Sequence, residues 1–190
     1  MPTLLHLDSA AFPAEMSASR LVTADFRHAW EEQGPGYKVI YRDLAADPVP
    51  HLTADAFLAP SVQPDACTAV QAADYAVREQ LIEELEAADA LLLGAPMYNF
   101  AIPSTLKAWL DNVIEVGRTA HTDDSKAFGT PVTVVTSRGG SYAPGTPMEP
   151  HEHLINHLQS VLGWIMRTDP TPTSSSRTSR SPRPLPGWRT

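Results

Sequence analysis

The chain has 190 residues, 43% of them hydrophobic, and a formal net charge of −8, which suits one domain with a sheet and flanking helices rather than two. Residues 168–190 hold four arginines and one Asp, which leaves ten basic and twenty-one acidic residues before them, and an acidic body that repels phosphate backbones excludes nucleic acid as a partner. The lone Cys67 excludes an internal disulfide, no basic region followed by an apolar signal stretch opens the chain, and no apolar run is long enough to span a bilayer, so a cytoplasmic protein without a membrane partner is expected.

Thr3 to Leu7 predicts a first strand and Asp8 to Met16 a loop. A helix follows from about Ser19 to Gln33, with Val22, Phe26, Ala29 and Trp30 as its apolar stripe. Gly34-Pro35-Gly36 ends that helix, and the β-branched and aromatic stretch Tyr37 to Asp43 predicts a second strand. Because the glycines precede a strand, they are no dinucleotide fingerprint, which must follow one. Asp47 to Pro64 carries four prolines and predicts irregular backbone. Val70, Ala73, Val77, Leu81 and Leu85 then place a long helix, on which Glu83, Glu84 and Glu86 read as a solvated face and ahead of which Cys67 reads as an ordinary small residue.

Ala90 to Leu93 reads as a strand buried on both faces. Leu106, Trp109, Leu110 and Val113 recur at i, i+3, i+4 and i+7, a helical period, and Pro103 fits that helix's first turn. Pro131 to Thr136 predicts a fourth strand and Leu154 to Met166 the helix after it. Strands alternating with helices imply an α/β fold, a doubly wound parallel sheet with helices on both faces.

In such a sheet the loops after strands one, three and four face one crevice. Ser17 and Ser19 stand just before a helix, where free amides and the helix dipole favour an anion, although either serine also serves as a plain N-cap. Tyr98 and Phe100 read either as walls of a ligand site or as core aromatics, and Gly139-Gly140 either permits close backbone approach or marks a turn. His151, Glu152, His153 and His157 invite a metal, since His153 and His157 share a helix face. The zinc protease pattern would put Glu where Leu154 stands, so a solvated helix start is expected and no metal is assigned.

Pro96-Met97-Tyr98-Asn99-Phe100, continued by Asp111-Asn112-Val113-Ile114 and Gly117-Arg118-Thr119, resembles the flavin loop of the FMN-dependent NADH azoreductases, flavodoxin-like quinone reductases of bacteria. Thr136-Ser137-Arg138-Gly139-Gly140 is similar to a second segment of that family, and the likeness runs from about Leu4 to Asp169. The resemblance implies a flavodoxin-like strand order, 2-1-3-4-5, with FMN as cofactor and NADH as electron donor. Ser9 with Ser17, Ala18 and Ser19 would hold the FMN phosphate. Met97, Tyr98, Asn99 and Phe100 would flank the isoalloxazine ring, with Asn99 polarising its edge near N5. Ser137, Arg138, Gly139 and Gly140 would supply donors at the pyrimidine end and stabilise the anionic reduced flavin. NADH would give a hydride to N5 and leave, and a quinone or azo aromatic would then take the electrons, an azo bond needing two such ping-pong cycles to become two amines. No side chain is assigned as a catalytic acid, and a homodimer with the site near its seam is implied.

After Asp169 the chain leaves the family pattern and proceeds in Ser, Pro and Arg, which predicts a disordered tail over 170–190 after a flavodoxin-like domain over 1–169. The expected order is then 2-1-3-4 with the fifth strand missing, as after a reading-frame shift near Pro170 that gene sequencing would reveal. Strand four would become an exposed edge prone to aggregation. If that loss abolishes turnover, the alternative is a flavin-binding or scaffold protein without activity.

Overall fold

The computed structural model describes residues 1–63 and 65–166. Strands β1 (Thr3–Asp8), β2 (Lys38–Asp43), β3 (Ala90–Gly94) and β4 (Val132–Val135) form one parallel sheet in the order β2-β1-β3-β4, as expected. Helices α1 (Ala18–Glu31), α2 (Ala54–Leu58), α3 (Ala69–Glu86), α4 (Ser104–Val113) and α5 (Leu154–Met166) surround it. None of the described helices is long and apolar enough to cross a membrane. The tail expected over 170–190 and the question of a fifth strand lie outside the described residues.

Successive side chains of a strand point to opposite faces, and in this sheet the two faces differ in chemistry. Leu5 and Leu7 of β1 and Leu91 and Leu93 of β3 join one core with Leu81, Ile82 and Leu85 of α3, the predicted stripe Leu106, Trp109, Leu110 and Val113 of α4, and Leu154, Leu158, Leu162 and Ile165 of α5. Each such buried side chain contributes roughly 1.5–3 kcal/mol. The alternate residues His6 and Asp8 lie in register with Tyr41 and Asp43 of β2, and α1 packs across the sheet with Arg20 and Thr23 turned inward.

That polar face corrects the reading of α1. Its buried residues are Ser19, Arg20 and Thr23, whereas Val22 and Trp30 are half-buried, Ala29 is exposed and Phe26 is 36% exposed. An apolar stripe predicts the buried side only where the surface beneath it is apolar throughout, and here buried Leu4 and Leu92 share that surface with His6 and Asp8.

The stretch expected to be irregular holds α2 and a 3₁₀ turn over Ala59–Ser61. Thr53 caps α2 by accepting from the Ala56 amide at 3.0 Å, and Pro60 falls at the start of the 3₁₀ turn, where its missing N–H costs nothing. On α3, Val70 is 61% exposed and the buried face is Arg78, Leu81, Ile82 and Leu85. Glu84 pairs with Arg42 at 2.5 Å and Glu86 with Arg118 at 2.9 Å, so of the three glutamates read as solvated only Glu83 is exposed. Pro103 sits one position ahead of the first turn of α4, its carbonyl accepting from the Lys107 amide at 3.0 Å.

Candidate functional site

Hydrogen bonds tie together the loops after β1, β3 and β4. The Ser9 hydroxyl donates to the Gly94 carbonyl at 2.7 Å, the Ala11 amide to the Tyr98 hydroxyl at 3.1 Å, the Met97 amide to the Ser137 carbonyl at 2.8 Å, and the His153 amide to the Phe100 carbonyl at 3.2 Å. The segments holding Ser9, Met97–Phe100 and Ser137 thus meet at one end of the sheet, the carboxyl end where doubly wound folds bind ligands.

Tyr98 and Ala101 exchange two 3.0 Å backbone bonds around Asn99 and Phe100, whose φ angles are +49° and +70°. Two consecutive positive φ values define a type I′ turn, natural for asparagine but costing a phenylalanine about 1–3 kcal/mol. The strain is held by the His153 bond and by rings around Phe100, with His151 at 5.1 Å and Tyr142 at 6.4 Å between centroids. Phe100 is 42% exposed and Tyr98 half-buried with its hydroxyl engaged, so neither is a core aromatic. Neither the Asn99 nor the Phe100 amide makes a hydrogen bond among the described residues.

Ser17 is the N-cap of α1. Its hydroxyl accepts from the Arg20 amide at 3.4 Å and lies 3.2 Å from the hydroxyl of buried Ser19. A cap satisfies only part of a helix start, and the amides of Ala18 and Ser19 have no acceptor within the helix. Arg138 is turned toward its own chain, 3.4 Å from Glu152 and 5.9 Å above the Tyr142 ring. Gly139 and Gly140 are exposed, and a Cβ on either would meet nothing within 4 Å. A cavity of about 610 Å³ lies on the α4 side of the turn, walled by Tyr98 and Asn99 with His51, Lys107, Asp111 and His157. The serines of the first loop and the glycine pair are not among its walls.

Arg20, Asp43 and Tyr142 border these loops and were not singled out by sequence reasoning, which named His151 beside them only as a metal candidate. The signal for Asp8 and Asp43 was an acidic residue at the tip of each of two strands expected to be neighbours, Asp8 opening the loop after the first and Asp43 ending the second. Asp8 is buried, and its carboxylate accepts from Thr23 at 2.9 Å and Tyr41 at 3.1 Å, with His6 Nε2 at 3.4 Å, within ion-pair reach but outside hydrogen-bond geometry. Burial pushes its pKa up, but the donors and His6 outweigh that and leave it below the usual 3.8. The same burial, with Asp8 alongside, pushes the Tyr41 hydroxyl up to about 12. Asp43 is lowered chiefly by hydrogen bonds from Arg20.

Carboxyls depressed in the folded state stabilise it above their unfolded pKa and lose that contribution as pH falls through the folded value. The melting temperature is therefore expected to be steady at about pH 5–7 and to drop below about pH 4, with a shallower drop in Asp8→Asn. Melts across that range check this, and an unchanged slope in the variant would show that Asp8 is not among the groups responsible.

A family model described as flavodoxin-like fold matches residues 2–184. The chain belongs to this family. It is 64% identical over 162 residues to an FMN-dependent NADH:quinone oxidoreductase of Streptomyces avermitilis, covering 85% of this chain and 75% of that protein. A protein of the same name from Streptomyces coelicolor is 62% identical over 169 residues, covering 89% and 76%. Among solved structures, an FMN-dependent NADH-azoreductase from Bacillus anthracis in complex with FMN gives a TM-score of 0.75 at 19% identity, covering 87% of this chain and 82% of that one, a likeness of fold.

Proposed function

We propose that this flavodoxin-like chain is an FMN-dependent NADH:quinone oxidoreductase that also reduces aromatic azo compounds. The observation that carries the reading is the strained Asn99–Phe100 turn, held where the three loops are bonded to one another. Backbone strain persists where the surroundings over-determine it, and it clusters at binding sites.

The residues fit a flavin mononucleotide. Ser17 and Ser19 hydroxyls with the Ala18 and Ser19 amides form a donor set suited to a phosphate, with Ser9 holding the loop onto β3. The amides of Asn99 and Phe100 and the Asn99 side chain are donors for the polar edge of a flat ring, with Met97 and Tyr98 beside them. Gly139 and Gly140 leave space next to the backbone that follows Ser137 and Arg138. Bound there, FMN would supply the two-electron chemistry that links NADH to the acceptor, in a ping-pong sequence.

The chain's part is to bind, orient and select. Phe100, Tyr142 and His151 present ring surfaces beside the turn, a wall that favours planar aromatic acceptors such as quinones. No side chain need hold the transferred protons, which exposed groups and water supply. The active form is proposed to be a homodimer.

Purified protein mixed with FMN and NADH under nitrogen is expected to lose its yellow absorbance and to regain it on addition of a quinone or an azo dye. FMN at saturation should also raise the melting temperature. Flavin that binds but is never bleached by NADH would reject the oxidoreductase, and no shift in melting with FMN would reject the site.

A further inference from the structure

We infer that Arg20 and Asp43 are positioning residues that make the site selective for the phosphorylated flavin, by fixing the loop between β1 and α1 without touching the ligand. The inference rests on the flavin reading above and adds two residues that reading does not use.

The loop over residues 11–16 is exposed throughout, with Phe12 at 51% and Met16 at 71% exposure, so no core of its own shapes it. Within it, residues 14–16 hold a single 3₁₀ turn, the Met16 amide donating to the Pro13 carbonyl at 3.0 Å. The placement of that turn depends on what anchors the loop's ends, and Arg20 is tied to both. Its Nη2 donates to the Ala10 carbonyl at 2.7 Å, next to Ser9, while its backbone amide donates to the Ser17 hydroxyl at the other end. The guanidinium is in turn held in a fork by Asp43, Nη1 at 2.7 Å and Nη2 at 2.6 Å. Asp43 has little freedom to follow a displaced arginine, because its Oδ1 also accepts from the amides of Ala45 and Ala46 at 3.1 and 3.2 Å. From the turn after β2, through Asp43 and Arg20, to both ends of the serine loop, the connection is continuous.

The charge distribution argues against the simpler view that Arg20 is the phosphate's counter-ion. It is only 8% exposed, its positive charge faces Asp43, and Asp8 lies 3.9 Å away, so two carboxylates already answer it. The donors left for a phosphate are neutral hydroxyls and amides, whose use depends on direction and therefore on the shape of the loop. Lysine cannot replace this arginine, since a single ammonium cannot serve a bidentate carboxylate and the Ala10 carbonyl together.

The test titrates FMN and, separately, riboflavin, which lacks the phosphate, into wild type, Arg20→Lys, Arg20→Met and Asp43→Asn, following flavin fluorescence and recording a melting curve for each. Wild type should prefer FMN, with an affinity that changes little between low and moderate salt. The variants should lose about tenfold to a hundredfold in FMN affinity, the scale of one hydrogen bond to a charged group, while riboflavin affinity stays within about twofold. Equal loss for both flavins, or undiminished FMN binding in Arg20→Lys, would overturn the inference. So would steep salt dependence in wild type that disappears in Arg20→Met, which would make Arg20 a direct phosphate ligand. Should Arg20→Met fail to fold, Asp43→Asn decides, because asparagine keeps an oxygen for the Ala45 and Ala46 amides. Wild type binding neither flavin would overturn the flavin reading itself, and this inference with it.

Discussion

Replacing Arg78 by methionine is expected to lower stability by about 4 kcal/mol, the scale for removing one member of a buried ion pair. Arg78 lies on α3, is 2% exposed, and carries three backbone carbonyls on one guanidinium: Asn112 at 2.9 Å, Ala56 at 3.1 Å and Ile114 at 2.7 Å. Two of these belong to the end of α4, whose last carbonyls have no donor within the helix and whose dipole favours a cation. Buried Glu115 lies 3.4 Å away. Methionine keeps most of the volume but leaves three acceptors unmet and one carboxylate without its cation. For a chain of this size the melting temperature should fall by roughly 8–16 °C. A fall under about 1 kcal/mol would mean that water takes over the carbonyls at little cost. The effect on the proposed site should be small, since α4 rises about 15 Å over its ten residues and Arg78 holds the end that lies farther along the chain from the Asn99–Phe100 turn. FMN affinity of the folded fraction is expected to remain within a few-fold of wild type.

Gly94→Ala should have a comparable effect by a different route, and one that does reach the site. A Cβ at this position would stand 2.3 Å from Asp8 Oδ1 and 3.3 Å from the Thr23 methyl. The carboxylate cannot easily withdraw, because Thr23 and Tyr41 both donate to it. Strand β3 must therefore shift, and overpacking of this kind costs up to about 3 kcal/mol. The Gly94 carbonyl accepts from both the amide and the hydroxyl of Ser9, so the shift moves the serine loop as well. Melting temperature and FMN affinity should fall together. In the double variant Asp8→Ala with Gly94→Ala, the coupling should exceed about 1 kcal/mol, as for neighbours in contact. Strict additivity of the two changes would show that the clash is not with Asp8.

What the sequence revealed followed the apolar residues. Leu91–Leu93 and the Leu106, Trp109, Leu110, Val113 period announce β3 and α4 because their neighbours are also apolar, so local pattern and tertiary burial agree. The face under α1 is hidden for the converse reason. Arg20, Thr23 and Asp8 look like surface residues, and only their partners make burial tolerable, Asp43 for Arg20 and Asp8 for Thr23, while buried His6 has Asp8 nearby but no hydrogen bond to either ring nitrogen among the described residues. Glu84 and Glu86 read as solvated because Arg42 and Arg118, which pair with them, lie 42 and 32 residues away. Helix α2 hides among prolines that flank it without entering it. At the candidate site, the Met97–Phe100 segment is legible as a motif and Ser17 as a cap. The strain at Phe100 and its neighbours Tyr142 and His151 depend on the path of a distant loop, which no local spacing encodes.

The two-sided chemistry of β1 also acts as a ratchet on assembly. Sliding it by one residue against β2 or β3 would swing Leu5 and Leu7 toward the guanidinium of Arg20 and drive an imidazole and a carboxylate into hydrocarbon, so adjacent alignments are closed to the chain. Since the serine loop leaves from the tip of β1 and the loop carrying the Asn99–Phe100 turn from the tip of β3, this bolt sets how far each projects. The height of the grip on a cofactor is thereby decided deep in the sheet, by residues that never meet it.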